Sequence, residues 1–182
     1  MSEVKKFFPE GLIDLKPFKK ICPARKIVPL TTFNLDMFIK RHNAIIHVDE
    51  NNPYPANVEF VGAPEFCGEE DNCKLYKIFV GNAKVTMIVA VDSDDLISKI
   101  AVYPNVNDKD AAEIFGGILV LILRNADLDA PEIQAVNKMI QNDEDLIFHW
   151  CPATKRFIFL NFIERDNIIY AGFFAAVEQD KQ

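Results

Sequence analysis

The sequence places a histidine and a cysteine two residues apart, in the segment His149-Trp150-Cys151. Alternate residues of a β-strand lie on one face, so His149 and Cys151 share a face if this segment is a strand. A cysteine nucleophile needs a base to remove its proton, and an imidazole can act as that base. The pair defines one hypothesis, a thiol-dependent enzyme. The alternative is that Cys151 is a small buried hydrophobic residue and His149 an ordinary strand residue.

The other two histidines, His42 and His47, lie close to Asp49 and are the weak candidates for a metal site. Histidines four residues apart share one face of a helix, but these are five apart, and no Cys-x-x-Cys accompanies them. The acidic run from Glu69 to Asp71 lacks the alternating ligands of an EF-hand loop. We therefore predict no metal ion and no other cofactor, with these side chains hydrated at the surface.

Sequence signatures of nucleotide binding and of serine hydrolases are missing. Neither Gly-x-Gly-x-x-Gly nor Gly-x-x-x-x-Gly-Lys-Ser/Thr occurs, and no Gly-x-Ser-x-Gly is present. The 27 acidic residues offer many carboxylate pairs, and no pair is marked in the sequence by the apolar setting that general acid catalysis needs. The residue types therefore favour interaction over catalysis.

Composition and charge argue against other classes. The formal net charge of −7 and a pI near 5.0 oppose nucleic-acid binding, which needs clustered Lys and Arg to neutralise phosphates. The longest apolar run, Ile114 to Leu123, has ten residues, whereas a membrane-spanning helix needs about twenty. The first residues lack the apolar run of a secretory signal, so we expect a cytoplasmic protein unless an export signal has been removed.

The cysteines are too few and too dispersed to indicate a disulfide framework. We predict reduced thiols for all four. Cys67 and Cys73 flank a short acidic loop that a disulfide would close if the compartment were oxidising.

Residues 1–30 are predicted to form an extended basic arm. They contain seven basic and three acidic residues, a net charge of +4 that leaves −11 on the remainder, and four prolines that keep any helix short. Two interpretations follow: the arm lies on the acidic body through weak, screened ion pairs, or it meets an acidic partner.

Residues 31–182 are predicted to form a single domain whose strands are separated by turn signals. Gly81-Asn82 is a hairpin signal and the run from Asp92 to Asp95 a second connection, which together indicate an antiparallel meander. In residues 84–91 both alternating faces are apolar, so this strand is predicted to be central. The predicted strands are 58–61, 74–80, 84–91, 96–103, 146–150, 156–163 and 167–177.

The predicted helices each begin with a capping residue before an apolar pattern. They run from a Thr31-Thr32 cap to near Asn43, from an Asp110 cap (alternatively Asn107 or Asp108) to Leu123, and from Asp129 to Gln141. Residues 118–123 could instead form a strand, since that segment is apolar nearly all round. The predicted class is α+β: an antiparallel sheet of two meanders, with a helical pair inserted between them and one helix near the N-terminus.

Two resemblances accompany this element order. Phe33, Phe38, Arg41 and Asn43 in the first helix, with the later Asp129-Ala130-Pro131-Glu132 helix start, resemble small bacterial α+β domains of uncharacterised function. The order is also similar to that of type III secretion chaperones, which are small, acidic and dimeric. Those chaperones end in a helix, whereas this chain is predicted to end in a strand.

Phenylalanines are concentrated near the C-terminus, and either core packing or an apolar cleft would explain them. They are Phe157, Phe159, Phe162, Phe173 and Phe174. The leading hypothesis is a non-catalytic protein-interaction module, chaperone-like or inhibitor-like, that binds a protein partner or self-associates, without nucleic acid or membrane. The alternatives are a binder of a small apolar ligand in a Phe-lined cleft and the thiol-dependent enzyme using Cys151 and His149.

Overall fold

Eight strands form one antiparallel sheet in the computed structural model, which describes residues 7–48, 54, 58–60 and 62–179. The strands are β1 (Lys26–Val28), β2 (Glu65–Glu70), β3 (Cys73–Val80), β4 (Val85–Val91), β5 (Ile97–Pro104), β6 (Ile147–Cys151), β7 (Arg156–Arg165) and β8 (Ile168–Val177). The three α-helices of the described chain are α1 (Leu35–Val48), α2 (Lys109–Asn125) and α3 (Ala130–Gln141), and a short 3-10 helix covers Lys16–Phe18.

The strand order is β2-β3-β4-β5-β8-β7-β6, and β1 also pairs with β8. Strands β2 to β5 form one meander and β6 to β8 a second, and the pairing of β5 with β8 joins them. Helices α2 and α3 lie between the two meanders in the chain, and α1 precedes both. The predicted α+β class and its arrangement of elements are confirmed.

Both faces of the sheet are covered, and β4 is buried along its whole length, as predicted for a central strand. On one face, which we call the helix face, Val85, Met87 and Val89 pack in a core that includes residues of α2 and α3. On the other, the arm face, Ile88 and Ala90 pack with residues of the arm. The two apolar faces seen in the sequence thus have two different coverings.

The helix caps support the prediction for α3 and correct those for α1 and α2. Asp129 caps α3 and accepts a hydrogen bond from the Glu132 amide, as predicted. The prediction of Asp110 as the cap of α2 was wrong, because the alternative, Asp108, accepts the bond from the Ala111 amide. The prediction for α1 was wrong at both ends, because Asn34 accepts the bond from the Met37 amide and the helix continues to Val48. Thr31 does not cap a helix, and its hydroxyl bonds to the backbone at residues 33 and 97.

Two strand predictions also differ from the structure. Only a single bridge, Phe60 with Val80, is described in the segment predicted as strand 58–61, and Val61 lies outside the described residues. Strand β2 was not predicted, because its sequence is rich in glutamate and contains a glycine. Its backbone is irregular, with a bulge between Phe66 and Gly68.

Residues 7–30 cross the arm face, and their packing is largely apolar. Phe8, Leu12 and Phe18 are buried, and the Phe18 ring lies 4.6 Å from the Phe159 ring in edge contact. The expectation of docking through weak, screened ion pairs therefore misses the main contribution, which is burial of apolar side chains. The division of the chain at residue 30 remains a prediction, although β1 within this segment pairs with β8.

The arm reaches the sheet closely at Gly172, on β8. A Cβ atom at this position would lie 2.5 Å from Leu12 Cγ and 2.9 Å from its Cδ1. Such distances are shorter than van der Waals contact, so Leu12 packs into space that only glycine leaves.

Within the described residues, no helix is long and apolar enough to cross a membrane.

We expect Gly172→Ala to lower the free energy of unfolding by about 1 to 3 kcal/mol, since overpacking forces Leu12 off the sheet. Gly116→Ala is the control, because that glycine is exposed on α2 with nothing within 4 Å of an added Cβ. It should stabilise the protein by about 0.5 to 1 kcal/mol. Chemical denaturation of both variants measures the two effects.

The cause is tested by combining Gly172→Ala with Leu12→Ala. Because the small side chain removes the collision, the double variant should be clearly more stable than the sum of the single effects predicts. Additive effects would show that Leu12 and Gly172 are not coupled.

Candidate functional site

Strand β6 carries His149 and Cys151, the two residues for which the sequence suggested a catalytic role. Its side chains alternate: Ile147 and Cys151 pack in the helix-face core, whereas Phe148 packs in the cluster of the arm face. His149 therefore shares the helix face with Cys151, as predicted from their spacing.

Cys151 is fully buried, and its thiol contacts the backbone of the link between α2 and α3. The sulfur donates to the carbonyl oxygens of Ala126 at 3.7 Å and Asp127 at 3.5 Å. Asp127 has a φ of 70°, which turns the chain between the two helices. These contacts favour a packing role for Cys151, and the thiol-enzyme hypothesis remains a prediction.

His149 is half-buried and lies beside the first turn of α3. Burial raises the pKa of the Glu132 carboxyl, the neighbouring Asp129 carboxylate raises it further, and His149 opposes both. One oxygen of Glu132, Oε2, is buried without a hydrogen-bond partner among the described residues. A positively charged group at position 149 would therefore be favourable for this carboxyl.

His42, the first metal candidate, is enclosed in the core against the segment that follows α1, so the prediction of a hydrated surface side chain was wrong for this residue. Its Nε2 donates to the Val58 carbonyl at 2.7 Å, and its ring stacks on Phe60 with centroids 3.7 Å apart. Nδ1 is buried without a partner, so a proton there would be a buried charge with an unsatisfied donor. Burial accordingly lowers the pKa of His42 to about 4.

The predicted metal candidates have separate surroundings. His47 is exposed and its Nε2 lies 2.7 Å from a Glu59 carboxylate oxygen, while His42 is buried and Asp49 lies outside the described residues. The Asp71 carboxylate of the acidic run pairs with Lys99 at 3.1 Å. Among the residues the structure describes, no group of three or more His, Cys, Asp and Glu side chains is placed to hold a metal ion.

Two surface hollows lie outside β6. One, of about 310 Å³, is bordered by the arm, Asp71 and Lys99. The other, of about 380 Å³, is bordered by Arg41, Arg124 and Asp127. Arg41 donates to Asp127 at 2.5 Å and Arg124 donates to the Tyr54 hydroxyl at 2.7 Å, so both guanidiniums have partners within the chain. Charged and apolar residues line both hollows, and none of the C-terminal phenylalanines borders either of them.

The C-terminal phenylalanines largely fill the core. Phe159, Phe173 and Phe174 are fully buried, and the Phe159 and Phe174 rings stack with centroids 4.8 Å apart. Phe162 is partly exposed and Phe157 half-buried. This arrangement favours core packing over an apolar cleft.

The sheet has two outer strands in its main order, β2 and β6, and they differ in how they are protected. β2 contains three glutamates, a glycine and a bulge, which are features that prevent a further strand from pairing. β6 has the sequence Ile-Phe-His-Trp-Cys, with no Asp, Glu, Lys, Arg or Pro, and pairs with β7 in unbroken register. The described backbone hydrogen bonds of β6 run to β7, and no described strand pairs with its other side, which we call the open edge.

The open edge carries the chain's single tryptophan. Trp150 is 42% exposed on the arm face, and its ring lies 4.8 Å from the Phe157 ring on the neighbouring strand. The same cross-strand row continues through Ala176 to Ile27, which is 45% exposed. An unpaired backbone edge and an exposed aromatic side chain therefore coincide on β6.

The buried state of His42 predicts how stability changes with pH. Because the pKa is about 4 in the folded protein and 6.5 in a model peptide, the unfolded chain binds more protons between these values. The free energy of unfolding therefore rises between pH 4 and pH 6.5 and decreases again as the pH falls. The change is about 3 kcal/mol, because the unfolded chain binds one more proton over this range. Thermal denaturation should show a smaller pH dependence for His42→Gln than for the wild type.

The matched control is His47→Gln, which removes an exposed histidine of the same helix. It tests whether loss of any histidine from α1 is enough to change the pH dependence. Equal slopes for the wild type and His42→Gln would contradict the buried neutral state of His42.

The burial of Cys151 predicts slow modification of its thiol. In the folded protein, a thiol reagent should label Cys151 much more slowly than the half-buried Cys67, and denaturant should remove the difference. Peptide mapping by mass spectrometry measures each site. Fast labelling of Cys151 in the native protein would instead support the thiol-enzyme hypothesis.

Comparisons with known proteins give no further guidance on this site. No protein-family model, no curated protein and no solved structure matches the chain. The resemblances to small bacterial α+β domains and to type III secretion chaperones therefore stay predictions.

Proposed function

We propose that this protein is a non-catalytic protein-interaction module that binds an extended protein segment along the open edge of β6. The observation that carries the proposal is the coincidence, on one strand, of an unpaired outer edge and the exposed Trp150. Each part supplies a different component of binding.

The backbone edge supplies affinity without requiring a particular sequence. An outer strand presents a row of N–H and C=O groups, and a partner strand that pairs with them extends the sheet. The contrast with β2 supports this use of β6. β2 has a bulge and three glutamates against pairing, whereas β6 has none of these protections.

Trp150 supplies an anchor beside that edge. Tryptophan is enriched among the residues that contribute most to binding in protein interfaces, because its large ring buries much apolar area. Here the ring rests against Phe157, which limits its movement before binding. A partner side chain on the arm face would meet both rings.

Strand addition fits a chaperone-like or inhibitor-like role, since both kinds of protein can hold an extended segment by pairing it with a sheet. The acidic run from Asp143 to Asp145 is exposed immediately before β6 and favours a partner with basic groups near that end. The hypothesis of a small apolar ligand has less support, because Phe159, Phe173 and Phe174 are fully buried.

We expect a photo-crosslinking amino acid at position 150 to capture a polypeptide in cells that express the protein, with peptide mapping to identify the site. The matched control is the same probe at Phe66, which is 57% exposed on the protected outer strand β2. Capture should be strong at position 150 and weak at position 66.

A charge on β6 tests whether pairing of the strand causes the capture. Adding His149→Lys should reduce capture by the probe at position 150, because lysine on an outer strand opposes pairing. The lysine faces Glu132, so the variant should still fold, which circular dichroism checks. Equal capture at positions 66 and 150, or capture unaffected by His149→Lys, would contradict the proposed function.

A further inference from the structure

We propose that the strand that pairs with β6 is β6 of a second copy of this chain, antiparallel, with His149 opposite His149 of the partner subunit. This inference rests on the proposed function of the β6 edge and identifies its occupant. It is carried by the sequence of β6, by the charges at its two ends and by the protection of the other outer strand.

The sequence of β6 is self-complementary about His149. In antiparallel register, Phe148 lies opposite Trp150 of the partner subunit, and Ile147 lies opposite Cys151 of the partner subunit. A two-fold axis perpendicular to the sheet keeps the arm faces of both copies on the same side. Two Phe–Trp pairs therefore form on that side, and aromatic cross-strand pairs stabilise antiparallel strands.

The charges around β6 distinguish antiparallel from parallel pairing. Asp143, Glu144 and Asp145 are exposed before the strand, and Lys155 is exposed after it. Antiparallel pairing brings the acidic end of each copy to the basic end of the other. Parallel pairing would instead put the two acidic runs side by side, where their repulsion opposes association.

The same arrangement explains why association would stop at two copies. A two-fold contact uses the open edge of both copies at once and joins two eight-stranded sheets. The main outer strands left over are the two β2 strands, which their glutamates and bulge protect against further pairing. An unrelated partner strand would not have this built-in match of side chains and charges.

A cysteine at the two-fold axis tests both the pairing and its register. Opposite residues of an antiparallel pair have Cα atoms about 4.5 to 5.5 Å apart, within the range of a disulfide. His149→Cys should therefore form a disulfide-linked dimer under mild oxidation, with peptide mapping locating the bridge at position 149 in both copies.

Trp150→Cys is the matched control. In the proposed register position 150 lies opposite position 148, so the two introduced cysteines are diagonal neighbours about 7 to 8 Å apart and outside easy bridging distance. Dimer formation should be slow or absent for this variant. Equal crosslinking of both variants would overturn the register.

Native mass spectrometry of the unmodified protein provides the second measurement. We expect a dimer for the wild type and loss of the dimer for His149→Lys, whose two lysines would face each other, with the monomer still folded. A wild-type monomer, or a dimer that survives His149→Lys, would overturn this inference.

The two proposals fail in different ways. If the purified protein is a monomer but the probe at position 150 still captures a different protein in a manner sensitive to His149→Lys, the proposed function stands and the self-pairing is wrong. If the probe captures neither a second copy nor another protein, both are wrong.

Discussion

The structure depends on covering a sheet that is apolar on both faces. β4 shows the constraint most clearly, since all seven of its residues are buried. Apolar area left in contact with water would cost free energy in proportion to its extent. The helices meet this need on one side and residues 7–30 on the other, where Leu12 fits against Gly172 and Phe18 enters a cluster of phenylalanine rings. The arm is thus part of the core packing.

This double covering also determines what is left open. Because the faces are used for the core, the remaining place for a partner strand is an edge. Of the two outer strands in the main order of the described sheet, β6 lacks the protection that β2 has. Cys151 and His149 are positioned by the same geometry: the first is held in the helix-face core, and the second lies against Glu132 at its border. The proposed interaction uses their strand and not their reactivity.

The sequence predicted the fold where local signals are strong. The bond from the Glu132 amide to Asp129 joins residues three apart, and the apolar residues on both faces of 84–91 are a local pattern of a strand with two covered faces. The failures have two causes, a contact between residues far apart in the chain and an atypical strand sequence. The α1 cap was placed too early because Thr31 bonds to residues 33 and 97, and β2 was missed because its glutamates and bulge do not resemble a strand.

By itself, the sequence determined the α+β class, the two meanders, the helical pair between them and the shared face of His149 and Cys151. Only the tertiary structure decided that Cys151 is enclosed beneath the α2–α3 link, that His42 is buried neutral against Phe60, and that β6 is an outer strand bearing an exposed tryptophan. The physical reason is that helix caps and strand alternation depend on neighbouring residues. Strand order and burial depend instead on contacts between residues far apart in the chain, which no local pattern records.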